Sequence, residues 1–508
     1  MRRRRVVLAA TGALRVPGRA VGRVFFAVVL LIAGLVTGTA VAGAASGVAT
    51  PSPGIAASGT AASTVPIQHI VVLMQENHSF DDVLGYWCDQ SARCEGMPPS
   101  VTLSNGATVT PGSSPDKVPT VSHSVQGQTA AIDGGKMDGW QNVQGCAAPA
   151  YACITGYDPS QIPNLISLTS TYAVEDHAFS LHDAPSWAGH LDELGASLDG
   201  FLGNNPVVQK GYTGTVGTGW GCNATGKVAT RLRVNGRTPP PQPPCIPDFS
   251  LDPTAYPYGG AWEPTQVAHV PTIMDELDAA GVSWKIYGGS NAGINGASGG
   301  WSGCPSFADC IYTAQANNLV DPSQFPTDAA AGSLPQVSFI MPSGLAGPTL
   351  CGGGKNAAAC SQHAPQSMAA GDNWIGQIAH AVLTGPEAAS TVLVVTWDDC
   401  GCFYDQVPPP TAPDGRQMGP REPFVVAGAY VSPGFTDSSV TSSSGSILAF
   451  IEWVFGLPAL NVNDGQAYNL SGIFNFNGPA LSAVPRLASR HLSAAKYQAL
   501  PSTLQDDT

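Results

Sequence analysis

The chain has 508 residues, of which 11% are charged and 43% hydrophobic, with 59 glycines and 43 prolines. That composition buries a large core, carries many turns, and excludes a disordered chain. Its formal charge is −14, yet seven of its 22 basic residues lie before Val24 and every acidic residue lies at or beyond Glu76. The rest of the chain is therefore strongly acidic, which excludes nucleic acid as a partner and leaves room only for a locally positive, metal-loaded pocket.

Residues 1–44 have the layout of a signal peptide: arginines at 2–5, 15, 19 and 23, an apolar run from Val24 to Val36, then small residues such as Ala40, Ala42 and Ala44. Cleavage implies a secreted or extracytoplasmic protein with no stable membrane span. The alternative is an uncleaved anchor, because the apolar character continues to about Ala45. Residues 45–64, uncharged and rich in Ala, Gly, Ser, Thr and Pro, read as a flexible linker. A single catalytic domain is expected over 65–480, with a peripheral tail at 481–508. Twelve cysteines in an exported chain imply disulfides, with sequence neighbours as natural staples. Zinc is the competing reading, without paired CxxC spacing to support it. Cys400-Gly-Cys402 would close a strained ring.

Ile70 to Met74 is a continuous apolar run of strand length, the pattern of a parallel strand covered on both faces. Glu76 and Asn77 follow at once. Ligands collect beyond the carboxyl ends of such strands, so a carboxylate and an amide oxygen there suit a hard cation, with His78, Ser79, Asp81 and Asp82 as a second layer. A polar loop capping the strand is the plain alternative. Residues 83–135 read as loop, with a lone His123, and end in turn chemistry from Asp133 to Trp140.

A helix is expected over Ile162–Tyr172 behind Pro163, then a short strand at Tyr172–Val174, and a second helix over Ser186–Ser197. Ser186 falls at its N-terminus, where backbone N–H groups and the helix dipole attract phosphate-like anions, and His190 lies one turn on along the same face. Plain N-capping by Ser186 is the alternative. Residues 203–265 read as a surface insertion or lid held by Cys222 and Cys245.

A helix over Pro271–Ala280, a strand over Val282–Tyr287 and a strand over Gln336–Met341 follow. A Gly-rich loop then presents His363, and an amphipathic helix covers Asp372–Leu383. Thr391–Thr396 is another continuous β-branched run and ends in Trp397-Asp398-Asp399, repeating the logic of the first strand. Two strands delivering carboxylates at the same end point to one shared site. A strand over Pro423–Tyr430 and an apolar helix over Ser446–Phe455 complete the domain.

Three motifs carry a family resemblance: Glu76-Asn-His-Ser-Phe-Asp81; Trp397-Asp-Asp399 followed by Gly401, Phe403, Asp405 and Val407-Pro-Pro; and Gly-x-Arg421-x-Pro423. Over roughly residues 65–475 the chain resembles the bacterial phosphoesterase family, which contains phospholipases C and acid phosphatases. The resemblance implies an α/β fold with a mostly parallel central sheet, helices on both faces, an alkaline-phosphatase-like core and long disulfide-stapled loops. It further implies a divalent metal ion held by Glu76, Asn77, Asp398 and Asp399, with Ser186 as nucleophile. His363 would bind or protonate the phosphate end, with His123 as a further candidate in the same pocket.

The expected substrate is a phosphate ester, with a small monoester ahead of a phosphatidylcholine-like lipid because no long C-terminal extension is present. Three positions depart from the family pattern: Gln406, Gly189 and Gly445 stand where a histidine, an asparagine and a histidine are usual. They motivate a third possibility, a non-catalytic secreted binding protein on the same scaffold. His69, His177, His182, His269, His380 and His491 are read as structural or surface residues.

Overall fold

The computed structural model describes residues 65–208, 220–222, 228–229, 244–246, 248, 269–289, 302–341 and 360–478. The expected leader, linker and tail lie outside these residues, as do most of the 203–265 insertion and the Gly-rich stretch that precedes Cys360.

The core is a seven-stranded sheet. In chain order its strands are β1 (His69–Gln75), β2 (Ala173–Val174), β3 (Trp284–Tyr287), β4 (Leu319–Val320), β5 (Val337–Ile340), β6 (Thr391–Trp397) and β7 (Val425–Gly428). They lie side by side as β4-β3-β5-β1-β6-β7-β2. β1 pairs in parallel with β5 and β6, and β3 with β4 and β5, whereas β7 is antiparallel to both β6 and β2. The sheet is thus mostly parallel, with β7 as the reversed strand.

All seven residues of β6 are buried, as are all but the first of β1. A strand buried at successive positions is covered on both faces, which is why its sequence is continuously apolar rather than alternating.

The covering helices are α1 (Phe80–Ser91), α2 (Val125–Ile132), α3 (Pro163–Thr171), α4 (Ser186–Gly195), α5 (Ile273–Ala280), α6 (Phe325–Ala331), α7 (Met368–Thr384) and α8 (Ser444–Phe455). α3, α6 and α7 pack as one group, and α4, α5 and α8 as another. The ends are set by local chemistry. Ser79, Ser124, Ser367 and Ser443 cap α1, α2, α7 and α8 with their hydroxyls, and Gly281 and Gly456 close α5 and α8 in the left-handed conformation that glycine adopts without strain.

α1 and α2 correct the reading of 83–135 as loop: Val83, Leu84 and Trp87 of α1 are buried, and so are Ala131 and Ile132 of α2. Cys88–Cys94, Cys146–Cys153, Cys222–Cys245 and Cys304–Cys310 form the neighbour-to-neighbour disulfides expected, and Cys360 is also disulfide-bonded. Cys400 and Cys402 are free and buried. Among the described residues no helix is long and apolar enough to cross a membrane.

Candidate functional site

The register of the two central strands builds the site. Gln75 of β1 sits opposite Trp397 of β6, so the next residues, Glu76-Asn77 and Asp398-Asp399, emerge together from the same end of the sheet. The Asn77 backbone N–H donates to Asp398 Oδ1 at 2.9 Å, and the Asp399 N–H donates to the same oxygen at 2.8 Å. Asn77 holds a φ of +56°, unusual for a residue with a side chain. Gly401 makes this turn possible: a Cβ there would lie 2.0 Å from the Asn77 carbonyl oxygen.

Ser186 enters from α4. The helix is capped by Pro185, so Ser186 is its first residue, and the N-capping alternative does not hold. Its hydroxyl lies 3.0 Å from Asn77 Oδ1 and 3.0 Å from Asp399 Oδ2, with the side chain fully buried. The helix N-terminus is less open than its sequence implies, because the Trp187 amide donates to Asn205 Oδ1 and the Ala188 amide to the Pro185 carbonyl.

One turn later His190 places Nε2 3.4 Å from Glu76 Oε1. Between Ser186 and His190 the helix presses against Asp398: a Cβ on Gly189 would lie 2.3 Å from the Asp398 carbonyl oxygen. Glycine at 189 is thus what lets α4 reach the strand end. The other two departures are structural as well. Gln406 donates through Nε2 to the Gly96 carbonyl, and Gly445 lies in the first turn of α8 near Asn463.

His123 and His363 meet at the far side of Asn77, with ring centroids 5.9 Å apart. His123 Nδ1 lies 3.1 Å from the Val121 carbonyl and His363 Nδ1 2.8 Å from the Ala364 carbonyl. A carbonyl only accepts, so both Nδ1 atoms carry hydrogen, and in the neutral form of each ring Nε2 is the acceptor. Asn77 Nδ2 donates to His123 Nε2 at 3.1 Å, and His363 Nε2 is 2.8 Å from the same nitrogen.

The opposite amide orientation would give N–H donors to the aspartates, but it requires both rings to donate through Nε2. The tautomers set by the two carbonyls therefore favour Oδ1 facing the carboxylates. Oδ1 then stands 3.0–3.2 Å from oxygens of Asp398, Asp399 and Ser186, an arrangement of acceptors that a cation would satisfy.

The electrostatics agree with the geometry. Burial first, and then the charges of Glu76 and Asp399, push the Asp398 carboxyl well above its ordinary range, while burial pulls His190 down. Glu76, His190 and Asp398 offer ligand atoms that all lie within 4.8 Å of one another, so they could hold a metal ion. Sequence reading grouped Glu76, Asn77, Asp398, Asp399, Ser186, His123 and His363, and the fold brings all seven together. It did not place His190 among them; the signal was its position four residues after Ser186, on the same helical face.

Asp81 and Asp82, expected to support a cation, do something else. Asp81 binds Arg421, and Asp82 binds His78. Arg421 is fully buried: Nη2 donates to Asp81 at 3.0 Å, Nε to Asp405 at 2.9 Å and Nη1 to the Asp176 carbonyl, with the guanidinium 4.5 Å from the Phe80 ring centre. This network ties the loop after β6 to the start of α1.

A model of the phosphoesterase family matches residues 67–458. The chain belongs to the phosphoesterase family. Its phosphoesterase relatives include the non-hemolytic phospholipase C of Burkholderia pseudomallei, 25% identical over 81% of this chain, and phospholipase C A of Mycobacterium tuberculosis, 25% identical over 84%. The non-specific phospholipase C3 of Arabidopsis thaliana is 22% identical over 83%. The chain spans 59% of the first protein's length, 81% of the second's and 76% of the third's. A solved structure of an alkaline phosphatase superfamily protein from Vibrio parahaemolyticus aligns with 77% of this chain and 67% of its own, at 12% identity and a TM-score of 0.32.

Proposed function

We propose that this phosphoesterase is a metal-dependent hydrolase of phosphate esters with Ser186 as its nucleophile. The observation that carries the reading is the Ser186 hydroxyl, buried and held 3.0 Å from both Asn77 Oδ1 and Asp399 Oδ2 at the joint end of two parallel strands. Glu76, Asn77, Asp398 and Asp399 would hold the divalent ion, with His190 close enough to Glu76 to join them or steady it. The ion, when bound, supplies a Lewis acid that lowers the serine pKa and neutralises charge on phosphate oxygens.

The chain's own groups do the rest. Ser186 gives up its proton along the hydrogen bond to Asp399 as Oγ forms the bond to phosphorus. The P–O bond to the alcohol breaks, and its oxygen takes a proton from His363 or His123 in the form that has gained a second proton at Nε2, since Nδ1 stays pinned on its carbonyl. Water then attacks phosphorus and gives a proton to the histidine, the P–Oγ bond breaks and Oγ takes its proton back from Asp399, releasing phosphate from a monoester or a phosphomonoester from a diester.

The names of the relatives favour a phospholipid headgroup diester over the small monoester expected from sequence. Hydrolysis of p-nitrophenyl phosphate, p-nitrophenylphosphorylcholine and phosphatidylcholine, with and without chelator, separates these substrates and the non-catalytic alternative. Chelator-sensitive turnover lost in Ser186→Ala supports the reading; turnover indifferent to both changes sinks it.

A further inference from the structure

His78 lies beside the site without touching Ser186 or the carboxylates, and its ring is wholly buried. Nδ1 stands 2.6 Å from Asp82 Oδ2 and Nε2 3.0 Å from the Gln362 carbonyl oxygen. The Gln362 carbonyl can only accept, so Nε2 carries a hydrogen and donates to it, while Nδ1 faces the Asp82 carboxyl. Asp82 is fixed in turn: its other oxygen accepts from Ser114 Oγ at 3.1 Å and Thr155 Oγ1 at 3.4 Å. The ring also stacks on Phe403, centroids 4.8 Å apart. Nothing in this arrangement is free to turn, and its outward end is a single hydrogen bond to Gln362.

Gln362 is the residue that needs holding. Its φ is +68°, a left-handed conformation that costs energy in a residue with a side chain and persists only where the surroundings impose it. The next residue is His363, whose Nε2 points at Asn77. The strand side of this corner is tied by the Glu76 amide, which donates to the Ser361 carbonyl at 2.9 Å. The opposite side is tied by His78.

We propose that His78 is a positioning residue: through its bond to the Gln362 carbonyl it keeps the corner left-handed and so aims the His363 ring at the reacting phosphate. The inference rests on the reading of His363 as proton donor to the leaving group.

The test compares a p-nitrophenyl ester, whose leaving group departs without a proton, with an alkyl ester of the same phosphate, which needs one. His363→Gln is expected to slow the alkyl ester about 100-fold more than the p-nitrophenyl ester. His78→Phe, which keeps the ring stacking and removes the donors, is expected to show the same selective loss of roughly 10-fold or more, and His78→Gln, which restores a donor toward Gln362, to recover most of it. His78→Phe/Asp82→Asn reads the same if the single variant is unstable with Asp82 left buried alone. In His363→Gln the further change His78→Phe is expected to leave the ratio of the two rates unmoved.

Equal losses on both esters in His78→Phe, beside a selective His363→Gln, overturn the positioning role and leave the proposed reaction standing. An unselective His363→Gln removes the proton donor itself, and the positioning role falls with it, while Ser186→Ala and chelation still judge the hydrolase reading separately.

Discussion

Two clusters of buried acids follow the same pair of strands, and they differ in where the positive charge comes from. Asp81 and Asp405 close on Arg421, a cation the chain supplies and seals inside the fold. Burial and Asp405 push the Asp81 carboxyl up, Arg421 pulls it back, and six hydrogen bonds between Asp81, Asp405, Arg421 and neighbouring amides occupy the oxygens. Asp398 and Asp399, one turn of chain earlier, pair with no lysine or arginine among the described residues. Their neighbours are Glu76, His190, Asn77 and a serine hydroxyl. In the proposed reading, a fold that neutralises one pair with arginine and leaves the adjacent group acidic keeps the second for an ion from solution.

The largest expected effect separates the clusters by sign. Asp398→Asn should lower turnover by about 10³-fold or more and reduce bound metal, yet in chelated protein it should leave the melting temperature unchanged or raise it by a few degrees. The asparagine oxygen can still accept the Asn77 and Asp399 amides while like-charge repulsion from Glu76 and Asp399 is removed. Metal analysis and calorimetry in chelator check both halves, and a clear loss of chelated stability would erase the contrast.

Arg421→Met should cost about 3–5 kcal/mol of stability, because it strands two buried carboxylates, and urea titration measures it. An effect below about 1 kcal/mol would mean the two clusters are energetically alike. Gly189→Ala should cost about 1–3 kcal/mol by overpacking and should weaken metal binding, since α4 must back away from Asp398; denaturation and metal titration report the two separately.

The smallest effect concerns pH. Burial raises Glu175 to about 8, with Ser442 Oγ donating to it. A folded pKa above the unfolded value of about 4.3 means the native state keeps a proton the unfolded chain releases, so this group's contribution is intact below that value and declines as pH rises toward 8. Glu175→Gln should therefore raise the melting temperature by a few degrees at pH 8 and leave it nearly unchanged at pH 4, as thermal melts at the two pH values will read.

The strand ends were legible because burial on both faces forces a continuous apolar run, and a carboxylate directly after such a run has few purely structural uses. β1 and β6 followed from that alone, whereas Ser186 as nucleophile came from the family resemblance. α1 and α2 were not legible: Gly85, Asp89 and Gln90 interrupt one apolar face, and Gly127, Gln128 and Thr129 dilute the other, so tertiary packing rather than pattern makes these helices. Nor was the reversed direction of β7, since antiparallel and parallel buried strands share a composition. His78 and His190 were noted beside the candidate residues, but their partners were hidden for another reason. Their meaning lies in partners 284 and 114 positions away, the Gln362 carbonyl and Glu76, and local sequence does not announce which loop will return to meet them.

The joint register of β1 and β6 has a consequence for how the ion and the fold depend on each other. The Asn77 amide meets Asp398 across 321 positions, and Ser186 meets Asp399 across 213. No fragment of the chain carries the proposed ligand set, so the unfolded ensemble has nothing comparable with which to compete for an ion. Loading should therefore act on the whole folding equilibrium by mass action, shifting the global melting transition with metal concentration rather than stiffening one loop.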